Sequence, residues 1–223
     1  MVLAGAAFFL VLSCAAVDPA KRYPNMVANV DPISAGTIEA SFDRTFSAAL
    51  NVAEVEAIFY PRLNSVALQF KHELVTYRQF WDAAARLQFA QSLERYKTDY
   101  AARSLVDRYT RTRAIYGSIR GHLEWQTFSI STIRVGYPTI EIGYCFRNDS
   151  PFFTTLMRSA KEVETTGGDN VESQQISMYF TRAQADELVR FFDQSYLMGL
   201  IREQESTETE ALPTVDDYYE QGN

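Results

Sequence analysis

The sequence predicts an α+β fold: a mostly antiparallel sheet with one long and one shorter helix packed on one face. An N-terminal signal and tether precede it, and a disordered acidic tail follows. Three observations carry this expectation. Short segments alternate apolar and polar residues with the period of a half-buried strand. Two T-x-x-Q helix starts, at Thr76 and Thr181, each precede apolar residues at three- and four-residue spacing. The connections are short and polar, which favours strands that follow one another in antiparallel order.

Residues 1–17 contain no charged side chain, and Ala4 to Leu12 form an apolar stretch within them. This is shorter than the roughly 20 residues that span a bilayer and fits the core of an export signal. Val11-Leu12-Ser13-Cys14 follows, then a polar, proline-containing run to Asn25. These four residues resemble the lipobox of bacterial lipoproteins. The resemblance implies a diacylglyceryl group on the Cys14 thiol, cleavage just before Cys14, and a membrane anchor. On that reading residues 1–13 are a signal peptide and 14–36 a lipid-anchored tether. The residues taken alone also admit Cys14 as a small apolar side chain in an N-terminal helix, or an uncleaved signal anchor.

A single α+β domain is expected over residues 37–200. "GTIEASF" places Ile38, Ala40 and Phe42 on one strand face, and "EVEAIFYPRLNSVALQFKHEL" reads as two strands about a Pro61 to Asn64 turn. Thr76 and Gln79 then cap a long helix from Tyr77 to about Tyr109, with Trp81, Ala85, Phe89, Leu93, Tyr96 and Tyr100 as its apolar stripe. "AIYGSIRGHLEWQTF" reads as one strand, with Ile115, Ile119, Leu123 and Trp125 on a common face. "PTIEIGYCF", "FFTTLMRSAKEV" and "QQISMYF" continue the sheet, the last two separated by the turn "TTGGDN". In "PTIEIGYCF" the residues Ile140, Ile142, Tyr144 and Phe146 share a face, which puts Cys145 on the other as a lone structural thiol. Thr181 and Gln184 cap the last helix, whose apolar face is Ala185, Leu188, Val189, Phe192 and Tyr196.

The net charge of -7 belongs to the end of the chain: residues 203–223 carry seven acids and no Lys or Arg, leaving residues 1–202 formally neutral. Residues 201–223 are therefore expected to be a solvated, disordered tail. A neutral body without a basic cluster argues against a nucleic-acid partner.

No familiar chemistry is legible. The chain has neither a P-loop nor a G-x-G-x-x-G loop, and no H-E-x-x-H or G-x-S-x-G motif. The expectation is therefore no cofactor, no metal, no catalytic residue and no enzyme. Three functions are weighed. The first is a lipid-anchored cell-envelope protein facing the periplasm or exterior, with a noncatalytic binding or structural domain and an envelope protein as partner. The second is a carrier of a small hydrophobic ligand, held between the long helix and the sheet by Trp81, Phe89 and Trp125, with Arg78 or Arg120 at the mouth. The third is an envelope hydrolase using dispersed residues such as His72 or His122 with neighbouring acids.

Overall fold

The computed structural model describes residues 23–210 apart from 45–46, 110–111, 129–131 and 164–170. The strands are β1 (Ile33–Arg44), β2 (Ser47–Tyr60), β3 (Ser65–His72), β4 (Val75–Asp82), β5 (Ala114–Arg120), β6 (His122–Thr127), β7 (Arg134–Gly136), β8 (Thr139–Arg147), β9 (Ser150–Met157) and β10 (Ile176–Phe180). The helices are α1 (Ala83–Ala101), α2 (Arg182–Phe192) and α3 (Gln194–Glu210). This corrects the expected α+β arrangement. The molecule is sheet-rich: ten antiparallel strands curl into a half-barrel around its helices, in place of a sheet lying under two helices.

The strand order is β5-β8-β9-β10-β1-β2-β3-β4-β6-β7. Its two ends meet through the covalent chain, because only Gly121 separates β5 from β6 and only Tyr137 and Pro138 separate β7 from β8. At this corner the Gly121 amide donates to the Pro138 carbonyl over 2.9 Å. One long hairpin is thus bent in the middle. Its β5–β8 half continues one end of the sheet, and its β6–β7 half continues the other. With each bent strand counted once, the pairings follow chain order around a ring that closes at β1 and β10. The β1–β10 seam has two paired positions, Ser41 with Tyr179 and Phe42 with Met178. Hydrogen-bonded pairing stops at β5 and β7, the strands at the two ends of the order, so the sheet is a half-barrel and not a fully closed one.

The inner face carries the apolar residues that the alternation predicts, including Ile38, Phe42, Leu68, Leu123, Ile142 and Phe180. Helix α1 lies against β4, β5 and β8, so the curled sheet wraps around it. Phe89 is its centre, in edge-on contact with Trp81 at 5.7 Å, Phe153 at 5.2 Å and Phe192 at 5.3 Å between ring centroids. Helix α2 carries the capping box at Thr181. Its hydroxyl accepts from the Gln184 amide, and the Gln184 side chain accepts from the Thr181 amide. In β1, Gly36 adopts φ +137 at a bulge, and the Phe191 ring occupies the space where a Cβ would stand. No other residue type fits there without strain.

Two expected elements are corrected along with the fold. The long helix begins at Ala83, and residues 75–82 form a strand. Its N-cap is Asp82, which accepts from the Ala85 amide over 2.8 Å. Trp81 belongs to the inner face of β4, although its position also fits the helical stripe. The strand signal of β4 is weak because Gln79 occupies an inward position, fully buried, with its oxygen accepting from the Trp81 indole over 3.0 Å. The expected single strand from Ala114 to Phe128 is two strands broken at Gly121. The body also extends beyond 37–200: β1 starts at Ile33, Val27 donates to the Pro61 carbonyl, and α3 runs on to Glu210. No helix among the described residues is long and apolar enough to cross a membrane.

Candidate functional site

Alternation along β4 turns Tyr77, Gln79 and Trp81 inward and leaves Arg78 and Phe80 on the outer face. Phe80 lies opposite His122 of β6, and their rings stack at 4.7 Å with 13° between planes. Tyr137, at the corner between β7 and β8, continues the row at 5.6 Å from His122, and Tyr60 extends it at 5.3 Å from Phe80. The Arg120 guanidinium sits 5.8 Å from the centre of the Tyr137 ring.

Phe80, His122, Tyr137 and Arg120 form one wall of a cleft of about 370 Å³. Leu63 enters from the β2–β3 turn, Ser65 from the start of β3, Asp82 from the end of β4 and Ala85 from the first turn of α1. The bend at Gly121 lies in the wall of the cleft. The cleft has the size of a small-ligand site. It offers a cation, a row of aromatic faces, a neutral imidazole and the Asp82 carboxylate, which already accepts from the Ala85 amide.

Burial holds the His122 pKa below its ordinary 6.5, with the Glu124 carboxylate opposing the shift. Unfolded histidine binds its proton as the pH falls through about 6.5, whereas the folded imidazole resists until a lower pH. The stability associated with His122 is therefore fully present above about 6.5 and declines as pH falls toward the folded value. Urea midpoints measured across this range should drop with acidification. His122→Phe, which keeps a ring against Phe80 and cannot titrate, should flatten the decline; an unchanged slope would assign it to other groups.

The residues expected at a ligand pocket are distributed differently. Trp81 and Phe89 are fully buried and touch one another in the core. Trp125, also on the inner face, borders a separate hollow of about 40 Å³ with Tyr77 and Arg78. Arg78 is held on the outer face by Gln69 and by Glu124 at 3.0 Å, and Arg120 lines the outer cleft. His72 lies on the inner face, 5.6 Å from the Phe42 ring, so the two histidines occupy opposite faces of the sheet. Among the described residues no three His, Cys, Asp or Glu side chains gather where they could hold a metal ion. Cys145 is buried on the face opposite Tyr144. Cys14 lies outside the described residues.

Sequence reading missed Phe80, Tyr137, Leu63, Ser65 and Asp82. The signal for Phe80 was its alternation with Trp81, hidden by the competing helical period. Tyr137 carried none, since its place depends on a corner between strands paired to opposite ends of the sheet.

A curated protein from Treponema pallidum (strain Nichols), described as an uncharacterized protein, is 24% identical over 182 residues, which cover 80% of this chain and 64% of that relative. The chain thus spans just under two thirds of the relative's length. No solved structure matches the chain. A family described as "Uncharacterised Treponema protein" matches residues 32–199, the stretch from the start of β1 into α3. The chain belongs to this Treponema family.

Proposed function

We propose that this protein is a lipid-anchored cell-envelope protein whose barrel body is a noncatalytic binding or structural module facing the periplasm or exterior. The observation that carries the reading is the box Val11-Leu12-Ser13-Cys14 at the end of an uncharged apolar run, followed by a polar tether. The tether leads into a body where the Val27 amide donates to the Pro61 carbonyl. Lipidation of Cys14 would keep that body within tether reach of a membrane, since each buried CH₂ contributes about 0.8 kcal/mol and two acyl chains hold firmly.

Support for an outward-facing role comes from the packing. The space between α1 and the sheet is filled by Trp81, Phe89, Phe153 and Phe192, and the cleft at the bend opens on the outside. An envelope partner or ligand would therefore be met on the outer surface.

The test compares the full chain with Cys14→Ser, both expressed in a bacterial host. The wild type is expected in the detergent phase with a mass that fits cleavage before Cys14 plus acyl chains. The variant should remain unacylated. Equal aqueous partitioning of both at full-length mass would overturn the reading.

A further inference from the structure

The cleft and the tether share one end of the barrel. The β2–β3 turn accepts the Val27 amide at Pro61, and Arg62 of the same turn binds Asn29 and Asp31 at 2.8 and 3.2 Å. Leu63, one residue further, is exposed and lines the cleft. Twelve residues lie between Cys14 and Val27, a reach of at most about 45 Å when fully extended. Lys21 and Arg22 lie within that tether. An anchor at Cys14 thus tethers the cleft to the bilayer by the same end of the body.

The chemistry of the cleft suits such a surface. Arg120 is exposed and lies over the Tyr137 ring, and among the described residues no carboxylate pairs with it. Arg78, by contrast, is tied to Glu124, and Arg62 to Asp31. Tyr137 is 47% exposed and Leu63 40%. An arginine with open donors beside a half-exposed tyrosine and an exposed leucine is the set that meets phosphate at the headgroup level of a membrane.

We propose that the cleft at the Gly121 bend is a receptor for the phosphate of an anionic phospholipid headgroup, with Arg120 as its donor and Tyr137 and Leu63 at the interface. The inference rests on the lipid-anchored reading for its geometry. It assigns the anchor a second task, presenting one defined end of the barrel to the bilayer.

The test uses the full chain carrying Cys14→Ser, so that no acyl chain contributes. Its partition is titrated on vesicles of phosphatidylcholine alone and of phosphatidylcholine mixed with an equal part of phosphatidylglycerol. The N-terminal apolar run and Lys21–Arg22 contribute equally to every variant, so the readout is the ratio of the two partition constants. Arg120→Ala should lower that ratio roughly fivefold, the effect of one cation at an anionic surface, and Arg120→Glu should lower it further. Lys71→Ala, at the far end of β3, should leave it unchanged, with thermal melts confirming that all variants fold. An Arg120-independent ratio, equal binding to both vesicles, or no binding would overturn the proposal. So would displacement by inorganic phosphate at concentrations matching the lipid phosphate, which would make the ligand a soluble phosphate. The mass measurement on the wild type separates the two readings. Acylation with an Arg120-independent ratio removes only the cleft, and an Arg120-dependent ratio without acylation removes only the anchor.

Discussion

Phe89→Ala should destabilise the protein by about 3–5 kcal/mol, a large part of the roughly 5–15 kcal/mol that a domain of ordinary stability possesses. Phe89 is fully buried, and its ring meets Trp81 on β4, Phe153 on β9, Phe180 on β10 and Phe192 on α2. Removing it empties the point where strands far apart in the sheet meet the helix layer. The cavity cannot close by movement of one neighbour, because each belongs to a different element. Equilibrium urea unfolding measures the effect, with Phe89→Leu expected to lose much less. A loss below about 1 kcal/mol for the alanine variant would mean that α1 shifts to refill the space, and that Phe89 does not organise the interior.

Gly143→Ala should be the most damaging one-carbon change in the sheet. Gly143 of β8 pairs with Ile115 beside the β5 irregularity, and the Ala114 carbonyl stands where a Cβ would be. That Cβ would also lie 2.8 Å from the Ala114 carbonyl carbon and 3.0 Å from the Ile115 Cα. These are backbone atoms, so relief requires β5 to move away from β8. A cost of about 3 kcal/mol is expected, at the upper end for overpacking because no flexible side chain absorbs the clash. Gly199→Ala is the internal comparison. Gly199 lies in α3, where an added Cβ would find its nearest atom, of the Arg202 side chain, at 4.0 Å. There alanine should be neutral or stabilising by up to about 1 kcal/mol. Thermal melts of the two variants should move in opposite directions or differ widely; similar melts would show that β5 yields without cost.

The two substitutions also mark how far local reading reaches. The spacing of Phe89 predicts a buried helical stripe, and it lies on one. Gly143 was not singled out, since the crowding there comes from a strand that begins more than twenty residues earlier. The same division runs through the candidate site. The expected pocket trio of Trp81, Phe89 and Trp125 rests on apolar bulk and a helix–sheet layer. The structure uses Trp81 and Phe89 as packing. The row of Phe80, His122 and Tyr137 assembles only because β4 pairs with β6 and the hairpin turns at Gly121.

What the sequence by itself determined is what depends on near neighbours. Alternation over a few residues settles which residues of β1, β3, β8 and β10 face the interior of the curled sheet. The Thr181–Gln184 pair settles where α2 begins, and the run of acids settles where the negative charge lies. What only the tertiary structure decided is which strands pair around the ring, that one hairpin bends to join both ends of the sheet, and that residues 75–82 extend as a strand instead of continuing α1 upstream. In that segment the local signals compete: Thr76 and Gln79 offer a cap and Trp81 fits a helical stripe, while Tyr77, Gln79 and Trp81 share a strand face. The ladder to β3 runs along the whole segment and that to β6 along residues 75–80, and this long-range pairing, invisible to any short window, outweighs the local preference.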